Sequence, residues 1–295
     1  RWMQTGTLLL LVGLATGRQF LWANDFRRDW KVQKNLFWQM TWRAPGLEPH
    51  TVVLLNEGGV HFYSDNSLSA ALNWVYAPDL RDEGDIPYVL FYPTERLGGS
   101  LPGLEAGLPV RYDFLAGTFT GSTSQVVTFY YQPPKCLRLL DPEIDAENRL
   151  IPEATLMRDA ARLSSSTWIL AEETARMPEV YAPEPEPTWC YYFEKAELAR
   201  QEENWARVVA LGKKAFALGD YPNDPVERFV FIEGYAHEGD WERARQLSLE
   251  AYRISPSYVS PLLCRLWTRI EAETSDDTAR RAVLEELFAK FNCYP

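Results

Sequence analysis

The side chains that chemistry could recruit in this sequence are carboxylates at the ends of apolar runs. Glu57 follows one such run and Asp65 lies eight positions on, with Asn56 and Asn66 beside them. Tyr92, Thr94 and Glu95 end a second run and fall in the same place if both runs are neighbouring strands. Paired acids in a polar pocket can perform general acid and base work or hold a sugar hydroxyl. The plainer reading makes Asp65 and Asn66 helix caps and leaves Glu57 in a solvated turn.

Other chemistry has less support. His50, His61 and His237 form no HExxH or similar pairing, so no metal centre is expected. Asp79, Arg81, Asp82, Glu83 and Asp85 have the carboxylate density calcium favours, but lack the glycine and distal glutamate of a calcium loop. A solvated turn is the expectation there. The glycines of residues 98–103 are interrupted by Pro102 and precede no helical pattern, so they form no phosphate cradle and no cofactor is expected. Cys136, Cys190, Cys264 and Cys293 contain no CxxC. Two readings stay open: bridges 136 to 190 and 264 to 293 in an oxidising compartment, or four buried thiols.

The elements that must position these residues follow from periodicity. Residues 51–55 and 88–92 are continuous apolar runs, and between them residues 67–76 carry Leu68, Ala71, Leu72 and Val75 on one helical face. Strand, helix, strand in that order predicts a parallel βαβ unit, whose ligands bind at the carboxyl ends of the strands. Residues 110–114, 118–120, 125–131 and 136–140 read as further strands that continue the sheet antiparallel. The expectation is a mixed α/β sheet domain over residues 46–150. Residues 151–187 read as a linker rich in proline and acids, with short helices and an extended spacer at 177–187.

Beyond it the sequence repeats. Phe193, Ala196, Ala199, Trp205, Leu211, Ala215 and Phe216 recur 36 residues later as Phe229, Ile232, Tyr235, Trp241, Leu247, Ala251 and Tyr252. Such a period signals stacked helical hairpins. In the second copy Tyr235, Gly239, Trp241, Ala244, Ala251 and Pro256 stand at the offsets of a tetratricopeptide repeat, which residues 188–295 resemble. The first copy departs from the pattern, with Glu203 in place of the turn glycine and Val208 in place of the close-packing alanine. A third hairpin, over residues 257–274 and 278–292, matches in periodicity only. The resemblance implies an all-α stack with a concave groove for a protein or peptide partner. Helix position nominates Tyr192, Lys195, Arg228 and Glu233 as its lining. A stack that merely packs against the α/β domain is the open alternative.

At the other end, residues 2–17 carry no charge and residues 7–15 are strongly apolar. A membrane helix truncated on its N-terminal side, with further chain upstream of Arg1, is expected; a secretory signal or a core helix would show the same pattern. Phe20, Ala23, Phe26, Trp30, Gln33, Phe37, Met40 and Ala44 then step by helical intervals, so residues 1–45 read as a membrane helix continuing into an amphipathic one. Trp38 and Trp42 are expected to pack on the following domain. Arg18, Arg27, Arg28, Lys31 and Lys34 outnumber Asp25 and Asp29, which points to the cytoplasm. A large domain rich in aromatics, proline and cysteine points the other way, and the extracytoplasmic side is the adopted expectation.

Composition bounds the function. A net charge of -11 and a pI near 4.9 argue against nucleic acid as the main partner, since a phosphate-binding surface needs a basic stripe. A hydrophobic share of 46% excludes a collagenous or wholly disordered chain.

The order of membrane helix, α/β domain and repeat-like tail, with residues 24–30 (NDFRRDW), 63–68 (YSDNSL) and 191–196 (YYFEKA), resembles the soluble C-terminal portion of uncharacterised polytopic bacterial membrane proteins. Some of those have a glycosyltransferase-like membrane region. The resemblance implies a catalytic acid upstream of Arg1, and no motif here carries glycosyl transfer. The reading is therefore a membrane-tethered, extracytoplasmic interaction or assembly module. The alternative is the soluble part of a membrane glycosyltransferase, or another carbohydrate-active enzyme with a carbohydrate ligand near Glu57 and Asp65.

Overall fold

An unbroken helix, α1 (Trp2–Arg43), opens the structure, a computed structural model that describes residues 1–79, 84–114 and 117–293. Arg81, Asp82 and Glu83 of the acidic run lie outside the described residues. The helix lives in two environments. Its first part, with Leu8 to Val12, Leu14 and Phe20 to Trp22, is exposed and is long and apolar enough to cross a membrane. Its last turns bury Leu36, Phe37 and Met40 completely.

Those last turns rest on a four-stranded sheet in the order β2-β1-β5-β6. Strand β1 (Val52–Leu55) pairs parallel with β2 (Val89–Phe91), and helix α2 (Asp65–Tyr76) makes the crossover. The expected βαβ unit is therefore present. The expected antiparallel continuation is corrected: β5 (Val126–Tyr130) joins β1 in parallel, and only β6 (Arg138–Leu139) runs antiparallel. Strands β3 (Pro109–Phe114) and β4 (Gly117–Ser122) pair with each other in a separate hairpin. The reason is visible in the side chains. Strands β1 and β5 are buried throughout and, apart from Thr128, hydrophobic, as interior parallel strands are, whereas β3 alternates between more and less buried positions.

Alternate residues of the sheet feed two cores. Val53, Leu55, Leu90, Val127 and Phe129 meet Leu36, Phe37 and Met40 of α1 and Leu68, Leu72 and Val75 of α2. Val52, Leu54, Val89 and Phe91 face Val110 and Phe119 of the hairpin and Ala160 of helix α4 (Met157–Ala161). The proline-rich run at 177–187, expected to be an extended spacer, contains a 3-10 turn at Glu179–Tyr181 and is not free. Tyr181 is buried against Phe37, Trp38 donates its indole N–H to the Tyr181 carbonyl at 3.0 Å, and Trp42 donates to Glu184 at 2.8 Å. Trp38 and Trp42 thus pack on the proline-rich segment and, through Tyr191, on the first C-terminal helix, where packing on the α/β domain was expected.

Six helices follow: α5 (Trp189–Gln201), α6 (Trp205–Ala217), α7 (Phe229–His237), α8 (Trp241–Ile254), α9 (Pro256–Glu273) and α10 (Thr278–Phe291). Each packs on the next in sequence, and α5 with α7, α7 with α9 and α8 with α10 also touch. Asn204, Asp240 and Asp277 start α6, α8 and α10 by accepting the backbone N–H of Arg207, Arg243 and Arg280. Gly234 lets α7 approach α6, because a Cβ there would overlap Val208.

Both cysteine pairs are bridged, Cys136 with Cys190 and Cys264 with Cys293, so the reading of four free thiols is set aside. The first bridge ties the segment before β6 to α5. Beside it Glu227, fully buried, accepts the backbone N–H of Cys136 at 3.0 Å and of Asn223 at 3.1 Å. Burial pushes its carboxyl up to about 7, against the pull of the Cys136 N–H.

Because the folded state holds this proton between roughly pH 4.5 and 7 and the unfolded state does not, Glu227 favours the fold most at the acid end of that window. Stability from this group falls as pH rises through 7, by on the order of 3 kcal/mol. Urea unfolding at pH 5 and pH 8 should show Glu227→Gln less pH-sensitive than the parent; equal slopes in both proteins would refute the assignment.

Candidate functional site

The residues at the carboxyl ends of β1 and β2 come together as a latch. Asn56 is clamped to Tyr131, accepting its N–H at 2.6 Å and donating to its carbonyl at 2.9 Å. Capping of α2 falls to Ser64, whose hydroxyl accepts the N–H of Ser67, and not to Asp65 or Asn66. Asp65 is fully buried and accepts two N–H groups of Arg96 at 2.6 Å each. Asn66 accepts the Tyr112 hydroxyl at 2.6 Å and a further Arg96 N–H at 3.1 Å. Tyr92, buried, donates its hydroxyl to the Tyr63 carbonyl. Glu57 is exposed and accepts from Thr94, and Glu95 is exposed in the short helix α3 (Pro93–Arg96).

These groups satisfy one another. The bidentate Arg96 to Asp65 pair joins α3 to α2, and cavities of 390 to 1240 Å³ lie elsewhere on the molecule. Arg96 and Tyr112 were not legible as members, since nothing local marks a partner about 30 or 46 positions from its acceptor.

The four residues nominated for the helical groove separate. Lys195 lines a 500 Å³ cavity with Trp38, Trp42 and Glu184, and burial lowers its ammonium pKa. Tyr192 stacks edge-on against Tyr191, which in turn meets Trp42. Arg228 lies 3.8 Å from Glu250 of α8. Glu233 alone reaches the open face shared by α5, α7 and α9.

That face holds a cavity of about 620 Å³ whose floor is a network of ions. Arg269 of α9 donates to Glu233 of α7 at 2.8 Å and to Asp141, in the segment after β6, at 2.6 Å. Arg200 of α5 donates to Glu197 at 2.8 Å and lies 3.8 Å from Glu233. Burial raises the Glu233 carboxyl, opposed by Arg200 and Arg269. Burial would also raise Asp141, but the two guanidiniums outweigh it and hold that carboxyl below its ordinary value. At one end the His237 ring lies flat on Trp205, with centroids 3.8 Å apart, and its Nε2 is 3.3 Å from Glu273.

A second cavity of about 1240 Å³ shares Glu143, Arg269 and Glu273 with the first and continues along α9 to Ser260 and Lys290. Together they make one groove. Its arginines are already paired, while Glu143 and Glu273 on the rim, 3.5 Å from Arg269 and 3.3 Å from His237, stay 68% and 46% exposed, so the groove turns solvated carboxylate and an aromatic end toward an incoming cation. Among the described residues no group of acids, histidines or cysteines is disposed to hold a metal.

The signal that would have found this site is the period itself. Stepping 36 residues from Glu233 reaches Glu197 and Arg269, and the same step from His237 reaches Gln201 and Glu273. Asp141 carries no such mark.

Replacing Arg269 by Met should cost 3 to 5 kcal/mol, roughly the range for stranding a buried charge, because Glu233 and Asp141 lose their closest partner. Glu143→Gln, at the exposed rim, should change stability by less than about 0.5 kcal/mol. Denaturant unfolding of the two variants checks this, and a near-neutral Arg269→Met would mean the network does not hold the face together.

No family model, no curated protein and no solved structure matches this chain.

Proposed function

We propose that this chain is a membrane-tethered module, presented on the extracytoplasmic side, that binds a protein segment in the groove of a helical stack resembling tetratricopeptide repeats. The observation that carries the reading is the groove over α5, α7 and α9, built from side chains recurring at the repeat interval. Its occupant is an extended peptide bearing Lys or Arg, which answers Glu143 and Glu273 while the Trp205 and His237 pair packs its apolar stem. Two bridges that take up all four cysteines support an oxidising compartment. The exposed apolar part of α1 supports the tether.

The test uses the full chain in lipid nanodiscs, panned against a displayed library of random dodecapeptides. Enriched peptides should carry basic residues, and their binding, read by fluorescence anisotropy, should weaken by about tenfold or more in the Glu143→Lys, Glu273→Lys double variant. Peptides that bind both proteins equally would overturn the reading. Binding of a glycan that Glu57→Gln abolishes would instead favour the carbohydrate-active alternative.

A further inference from the structure

Where α1 leaves its apolar stretch, a loop of the α/β domain is pinned to it. Asp29, only 4% exposed, accepts the backbone N–H of His61 at 2.9 Å and of Phe62 at 2.7 Å. This clamp sets the Phe62 ring 4.4 Å from that of Phe26, yet the two rings remain 46% and 49% exposed. Asp29 is thus a buried carboxylate whose two oxygens serve to present a half-exposed aromatic pair.

The position of the pair says what covers it. Arg18 is the first charge after the apolar residues, and its guanidinium lies 4.8 Å from the Trp22 ring centre. Arginine and tryptophan side by side mark the boundary between hydrocarbon and headgroups. Phe26 is one turn beyond Trp22, about 6 Å along the axis, which is within the depth of the headgroup layer. Arg27, Arg28 and Lys31 are exposed on the same turns. Aromatic rings among cations at that depth suit lipid headgroups carrying phosphate and net negative charge.

We propose that Phe62 and Phe26, held by Asp29, form a wedge that seats the α/β domain on an anionic lipid surface, with Arg27, Arg28 and Lys31 engaging the phosphates. The wedge rests on the reading of α1 as a membrane anchor. It adds a second contact with the bilayer. The groove over α5, α7 and α9 is then held at a set orientation to the membrane, whereas a single tether would leave it free to swing.

Because the native cysteines are all bridged, one new cysteine is the sole free thiol. Phe62→Cys and, separately, Val12→Cys in the full chain are labelled with an environment-sensitive nitrobenzoxadiazole dye. The proteins are then reconstituted in phosphatidylcholine vesicles with and without phosphatidylserine. The lipids carry bromine either near the carbonyl groups or at the bilayer centre. The expected result is a blue shift and loss of emission at position 62 with shallow bromines, stronger when phosphatidylserine is present, and loss of emission at position 12 with deep bromines. Quenching at 12 but not at 62 overturns the wedge and leaves the anchor standing. Quenching at neither position overturns the anchor reading and the wedge with it. Quenching at 62 that ignores phosphatidylserine overturns the assignment to anionic headgroups.

Discussion

Burial of Leu36, Phe37 and Met40 at the end of α1 is the contact through which the rest of the molecule is joined. One side of that helix meets the sheet residues Val53, Leu55, Val127 and Phe129, and another meets Tyr181 of the proline-rich segment. A third reaches the C-terminal helices, where Leu198 of α5 enters the same core and Arg43 donates to Gln201. Each fully buried apolar side chain contributes about 1.5 to 3 kcal/mol. Losing this packing would uncouple sheet, linker and helices at once. The helix whose first part is long and apolar enough to cross a membrane is also the strut on which the sheet, linker and C-terminal helices are assembled.

Around this apolar frame, charges are buried in pairs that specify position. Arg96 with Asp65 sets α3 on α2, Arg138 with Asp145 closes the turn after β6, and Arg269 with Glu233 and Asp141 ties α9 to α7 and to that same segment. Desolvation makes such pairs poor sources of net stability, but a displaced partner strands a charge in the interior. Each arrangement therefore tolerates one geometry. The consequence for function is that the carboxylates singled out at the start, Asp65 and Glu233, serve as buried counter-ions, and the acids that stay largely solvated are rim residues such as Glu143 and Glu273.

The proposed membrane contact and the groove are linked through the same construction. Asp29 lies on α1 between the exposed apolar stretch and the buried turns, so the loop it pins belongs to the α/β domain while its position belongs to the helix. The disulfide from Cys136 to Cys190 then couples the sheet side to α5, the first helix of the groove. A partner bound there would be presented at a defined place relative to α1.

Much of this was written in local spacing. The two strands and their crossover helix and the long aromatic helix follow from continuous apolar runs and a spacing of about 3.6, which depend on near neighbours alone, while the 36-residue period and the even number of cysteines stand directly in the sequence. The tertiary structure decided the rest. It placed β5 parallel beside β1, chose bridges over thiols, gave Asp65 to Arg96, sent Tyr192, Lys195 and Arg228 away from the groove and brought Asp141 to Arg269 across 128 positions. Such pairings are settled by which surfaces exclude water together and which buried charge must find a counter-charge, and no short stretch of chain carries that information.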